Sequence, residues 1–263
     1  MNKYLRPGKL IMLLLAVMLA VGAFAGMPLL RTWWKPQPVK KTVEDENPRY
    51  GEKEATILKE LIAVYRRMDS IPVMETGGKI VATDPANPSD DLRTDFNYQR
   101  KNNLLYYQLG ESEMVQLQDV NISTNKSVNR MFVTPPQTIT TVAHLPVDSI
   151  IALWEDDSYA ISTKEIDQQV TVSFLCEQHA SCKELKITYN RASRKMNSMY
   201  MRLTNLSDPF NKALDRVVDI TFNRWEEGKV NDSYFTLSRY LKKDGNSWLP
   251  AGAYSQYKLI STL

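Results

Sequence analysis

The chain has 263 residues, 33 basic against 30 acidic, and two cysteines. Seven of the basic residues lie in residues 1–41, which carry no acid, so the remainder holds 26 basic against 30 acidic groups and is mildly acidic. That balance offers no basic stripe to displace phosphate counterions, and it argues against nucleic acid as a partner.

The N-terminus is a membrane signal. Leu10 to Leu30 is an uncharged apolar run preceded by Lys3, Arg6 and Lys9. As a helix it spans roughly 31 Å, enough for a hydrocarbon core of about 30 Å. The basic residues on its short N-terminal side place that side in the cytoplasm and everything after the run outside it. Arg31, Trp33, Trp34 and Lys35 form the expected interfacial anchors at the outer end. Ala23-Phe24-Ala25 before Gly26 matches a signal-peptidase site, so a cleaved signal is the alternative to a single-pass inner-membrane anchor. The domain plan is therefore a cytoplasmic tip and anchor over 1–34, a linker over 35–49, and a periplasmic β-rich domain over 50–263. The linker carries Pro36, Pro38, Lys40, Lys41 and Glu44-Asp45-Glu46. A proline- and charge-rich segment of this kind holds a domain up to about 40 Å off the membrane.

A helix is predicted from Glu52 to Asp69. Leu58, Leu61, Ile62, Tyr65 and Met68 recur at three and four residues against a charged back, and Ser70-Ile71-Pro72 ends it. One apolar stripe of this kind lies on a sheet. Strands are then expected over Val73–Thr83, Asp91–Arg100, Leu104–Leu109, Glu113–Ser123 and Asn129–Thr134, with Gly77-Gly78 inside the first. A short helix over Val147–Trp154 separates these from a second set: Ser158–Ser162, Val170–Leu175, Glu184–Asn190, Met196–Leu203, Asp215–Arg224, Tyr234–Leu241 and Tyr254–Ser261. Asp244-Gly245 reads as a hairpin turn. Short turns imply antiparallel neighbours. The fold class is mainly β (α+β): an amphipathic helix packed on a large curled antiparallel sheet, a half-open barrel.

The leading helix followed by a long meander, with Phe96-Asn97-Tyr98 and Leu104-Leu105-Tyr106-Tyr107-Gln108-Leu109-Gly110, resembles the exported lipoprotein carriers of the LolA, LolB and RseB type. The resemblance covers roughly residues 50–260 and implies a curled sheet wrapped around an apolar cavity lidded by helices. Those carriers are shorter and soluble or lipid-anchored, and a tethered chain cannot shuttle across the periplasm.

Cys176 and Cys182 flank a five-residue loop between two alternating segments. In an oxidising compartment this reads as a disulfide stapling a hairpin, worth about 2–2.5 kcal/mol for so short a loop. No second ligand pair accompanies them, so no metal is expected. Catalytic signals are weak as well. His144 and His179 are the only histidines, and Gly-x-Ser-x-Gly is absent. Glu155-Asp156-Asp157 after Trp154 and Glu226-Glu227 after Trp225 are the acids an envelope enzyme acting on glycan or lipid would use. Neighbours in sequence point apart on strands, so these read first as solvated charges.

The function expected is a membrane-tethered, non-enzymatic binding module of a cell-envelope assembly, handling lipid or lipoprotein or serving secretion, with no cofactor. Its partners are the inner membrane and an envelope protein or apolar ligand. Phe96 and Tyr98, Leu105 and Tyr107, and Val115 and Leu117 each share a strand face and are the candidates for a concave apolar lining.

Overall fold

A computed structural model describes residues 50–136, 158–245 and 247–261. The anchor, its interfacial residues Arg31, Trp33, Trp34 and Lys35, the linker, and the expected helix over Val147–Trp154 all lie outside the described residues. Among the described residues no helix is long and apolar enough to cross a membrane.

Helix α1 spans Glu52–Ser70, within a residue of the expectation. Its buried residues are Ile57, Leu58, Leu61, Ile62 and Val64, so the buried stripe is wider than the predicted one. The C-terminus is fixed from below: Arg100 Nη2 donates to the carbonyls of Met68 (2.5 Å) and Ile71 (2.6 Å). A guanidinium on a strand thus satisfies helix carbonyls that have no intrahelical donor. Arg67 reaches Glu227 at 2.6 Å on the same side.

The strands are β1 (Val73–Thr83), β2 (Leu92–Lys101), β3 (Leu104–Leu109), β4 (Ser112–Gln116), β5 (Asn121–Asn125), β6 (Arg130–Thr134), β7 (Ala160–Ile166), β8 (Gln169–Leu175), β9 (Cys182–Asn190), β10 (Met196–Leu203), β11 (Arg216–Glu227), β12 (Leu241–Asp244), β13 (Ser247–Pro250) and β14 (Lys258–Ser261). Twelve of them form one sheet in the order β14-β6-β5-β4-β3-β2-β1-β11-β10-β9-β8-β7. The sheet is curled and unclosed. β1 sits in the middle, and every pairing is antiparallel except β14 against β6.

Three expectations are corrected. The single strand over Glu113–Ser123 is a hairpin, β4 and β5, turned at Gln118-Asp119 where Leu117 N donates to Val120 O at 2.8 Å. Tyr234–Leu241 is not a strand: 3-10 turns run over Asp232–Phe235 and Leu237–Arg239, the first capped by Asn231, whose side chain accepts from Ser233 N. Tyr254–Ser261 divides into a turn at Gly252–Tyr254 and the short β14. The Asp244-Gly245 hairpin is present, with Asp244 opposite Ser247.

Each face of the sheet carries its own core on a different half. On one face α1 packs against Ile80, Phe96, Val218, Ile220, Met199, Ile187, Val172 and Phe174. On the other, residues 231–257 cover β3 to β6, burying Tyr106, Val115, Ile122, Met131 and Val133 under Tyr240, Leu241 and Tyr254. Tyr106 stacks on Tyr234 at 3.9 Å, and Tyr254 donates to Glu113 at 2.5 Å. The aromatic run expected as a strand is therefore a cover.

Gly78 is demanded by close approach. A Cβ there would lie 1.7 Å from the Thr221 carbonyl oxygen and 2.9 Å from the Phe96 ring. Phe96 and Phe222, its partners on either side, meet edge to face at 5.5 Å above it. Two rings thus fill the space that a glycine leaves open on a strand.

Candidate functional site

Register places a continuous row of side chains across the helix-facing surface. Trp225 pairs with Thr76, Thr76 with Tyr98, Tyr98 with Tyr107, Tyr107 with Met114, Met114 with Ser123, and Ser123 with Phe132. Opposed residues share a face, so these seven form one ladder crossing seven strands. At about 4.8 Å per strand it runs roughly 29 Å. It starts beside α1, where Trp225 and Tyr107 pack against the first core, and ends at Phe132, which is 40% exposed.

Two polar atoms in this row are buried without a hydrogen-bond partner among the described residues: Thr76 Oγ1 and Tyr107 Oη. Burial pushes the Tyr107 hydroxyl well above its ordinary range. The same cause raises Tyr98, partly offset by the Arg100 charge. Both phenols are neutral donors under ordinary conditions. Buried polar groups are nearly always paired, and each left open carries a desolvation cost of about 1–3 kcal/mol.

Of the six residues read from sequence as concave lining, four lie together on this face: Phe96, Tyr98, Leu105 and Tyr107. Val115 and Leu117 do not. Val115 pairs with Tyr106, whose side chain points away from that of Tyr107, and both Val115 and Leu117 belong to the second core. Thr76, Met114 and Phe132 were missed. Their signal was present as period two, but sequence spacing does not say which strands are neighbours.

Cys176 and Cys182 are separate thiols in the structure. They close neighbouring strands, with Cys176 N donating to Lys183 O at 2.8 Å. The Cys182 thiol donates to the Glu184 carbonyl at 3.3 Å, and burial pushes it up to about 11. His179 serves the intervening loop: its Nδ1 accepts from Cys182 N at 3.0 Å. Of the acids considered for catalysis, Glu155-Asp156-Asp157 lie outside the described residues. Glu227 accepts from Trp225 Nε1 at 3.1 Å and from Arg67 at 2.6 Å. Burial alone would raise its carboxyl, but these two bonds outweigh burial and hold it below the usual range. Glu227 is thereby a strut between helix and sheet. Among the described residues no cluster of histidine, cysteine and acids is arranged to hold a metal ion.

At one end of the sheet a further charged group is buried. β9 carries one extra residue against β10, Lys183, between the pairs Arg202–Glu184 and Leu203–Cys182. Lys183 Nζ bonds Asp215 Oδ1 and the Pro209 carbonyl, both at 2.7 Å, with the two side chains only 2% and 1% exposed. Arg202 completes it, holding Asp215 at 3.0 Å and Glu177 at 2.9 Å. Together they brace the segment between β10 and β11.

No family model matches the chain, and no curated protein is similar to it. Among solved structures, it is similar to an uncharacterized conserved protein from Thermus thermophilus at TM-score 0.41 and 5% identity, covering 77% of this chain and 98% of that one. A LolA superfamily protein from Nitrosomonas europaea matches at TM-score 0.29 and 10% identity, covering 68% and 97%. LprF from Mycobacterium bovis matches at TM-score 0.28 and 11% identity, covering 69% and 96%.

Proposed function

We propose that the chain is a membrane-tethered envelope module that binds an apolar, chain-like ligand along the Trp225–Phe132 ladder. The ladder itself carries this reading. It is long, aromatic at Trp225, Tyr98, Tyr107 and Phe132, half-buried over most of its length and exposed at Phe132. Thr76 Oγ1 and Tyr107 Oη lie buried beneath it with no hydrogen-bond partner among the described residues. A ligand here is held by burial of apolar area, at about 25 cal/mol per Å², with one or two polar contacts fixing its place. The run Leu10–Leu30 supports the tether and the proline-rich linker supports reach from the membrane surface.

The test is titration of a fluorescent apolar probe into the purified chain. Saturable binding is expected, with Tyr98→Arg weakening it at least tenfold at an unchanged far-UV spectrum. Phe132→Arg, at an exposed position, should weaken it without risk to the core. No saturable binding, or normal binding by both variants, overturns the reading.

A further inference from the structure

Leu206 and Phe210 are 80% and 90% exposed, the two most exposed large apolar side chains of the described residues. They sit on the segment between β10 and β11, and that segment is tightly built. Asn205 Nδ2 donates across its base to the Leu214 carbonyl at 3.2 Å, and Asn205 Oδ1 accepts from Ser207 N at 2.8 Å. Asn211 caps a 3-10 turn at Lys212–Leu214. The buried Lys183 ammonium grips the carbonyl of Pro209, the residue before Phe210, at 2.7 Å. A loop free to collapse would fold these side chains against the sheet, whereas this framework holds them out.

The position of the loop is informative. Thr204, at its start, donates through N to Ser181 O (3.0 Å) and through Oγ1 to His179 O (2.7 Å). Cys182 O accepts from the Tyr159 hydroxyl at 2.6 Å, and Tyr159 O accepts from the Tyr50 hydroxyl at 2.9 Å. Tyr50 is the first described residue. The chain coming from the apolar run therefore enters the domain at the same end of the sheet that displays Leu206 and Phe210. Most charges flanking the tip are paired among themselves, Lys212 with Glu177, Glu177 with Arg202, and Lys183 with Asp215, while Asp208 stands exposed between the two apolar residues. With that one carboxylate at its tip, the end is compatible with a zwitterionic surface and is disfavoured on an anionic one.

We infer that Leu206 and Phe210 seat in the headgroup–acyl boundary of the membrane that holds the N-terminal anchor, setting the sheet upright with its entry end on the bilayer. The inference rests on the tethered reading above. The occupant is a lipid surface, because the loop presents two protruding apolar side chains rather than a groove, at the end where the chain enters, and a linker that extends up to about 40 Å leaves that end free to reach the bilayer. Interfacial binding scales with the apolar area buried at the headgroup–acyl boundary, and two protruding apolar side chains supply that area.

The test uses the full chain reconstituted in phosphatidylcholine vesicles with brominated acyl chains, carrying Phe210→Trp, with Asp119→Trp in the β4–β5 turn at the opposite end as control. The added fluorescence of Phe210→Trp over the parent should be quenched at least twofold by brominated lipid, that of Asp119→Trp unchanged, and Leu206→Ser should relieve the quenching at 210. Absence of quenching at 210 overturns the inference. A blue-shifted but unquenched signal at 210 also overturns it, in favour of a protein contact. Carbonate extraction of the same vesicles reports the tether separately, so an unquenched tip on a retained protein removes the seat and leaves the anchor standing.

Discussion

Lys183→Ala isolates the buried charge group and its cost follows from the geometry. Lys183 and Asp215 are 2% and 1% exposed and 2.7 Å apart. Removing one member of such a pair leaves an uncompensated buried charge, typically costing about 3–5 kcal/mol. Arg202 stays within 3.0 Å of Asp215 and relieves part of this, while the Pro209 carbonyl loses its donor, a further ~1 kcal/mol. The expected net loss is about 3–4 kcal/mol. With a urea slope of about 2–3 kcal/mol/M, the midpoint moves down by roughly 1–2 M. Lys101→Ala is the internal control: its pair with Asp232 is 39% and 75% exposed, and its loss should cost no more than ~0.5 kcal/mol. Equal midpoints for Lys183→Ala and Lys101→Ala would refute the assignment of Lys183 as a buried brace.

Further outcomes are expected. Burial alone would raise the Asp215 carboxyl, but the Lys183 and Arg202 bonds hold it below its ordinary value. Its contribution is therefore fully present above the unfolded value near pH ~4 and is lost as pH falls through the lower folded value. Urea midpoints taken below pH ~4 should accordingly fall less steeply in Asp215→Asn than in the parent, and parallel curves would contradict this. Gly78→Val should prevent native pairing of β1 with β11, since its side chain would overlap the Thr221 carbonyl, and a parent-like melting temperature would contradict that geometry. Tyr107→Phe removes a buried hydroxyl with no partner among the described residues and should leave stability unchanged or raise it by about 1 kcal/mol; a clear loss would mean the hydroxyl is satisfied in solution. We also propose that Cys176 and Cys182 become bonded in an oxidising compartment. Two freely alkylatable thiols in non-reduced protein purified from the periplasm would refute that.

Elements governed by short-range chemistry were legible in the sequence. The helix ended where Pro72 required, and the strands from Val73 to Leu109 fall within one residue of the segments their turn residues bound. Failures came where distant residues decide. Tyr106 and Tyr107 are adjacent and equally aromatic, yet one faces the C-terminal cover and the other the helix-side ladder. That choice is made by Tyr234, Tyr240 and Tyr254, all far along the chain. The same distance misplaced Val115 and Leu117. Tyr234–Leu241 has strand composition, but its rings are spent on covering β3 to β6, and Asn231 turns the backbone away from strand geometry. The loop bearing Leu206 and Phe210 was passed over because its turn-forming residues hide two apolar ones, and its rigidity depends on Lys183, a strand away.

The ladder is tested most directly by a photoactivatable fatty-acyl probe crosslinked to the intact chain, with the modified residues located by mass spectrometry. Labelling should fall on the strip Tyr98, Tyr107, Met114 and Phe132 and be competed by unlabelled acyl ligand. Labelling confined to the Tyr234–Tyr254 cover or to the Leu206–Phe210 loop, or labelling that no ligand competes, would contradict the account.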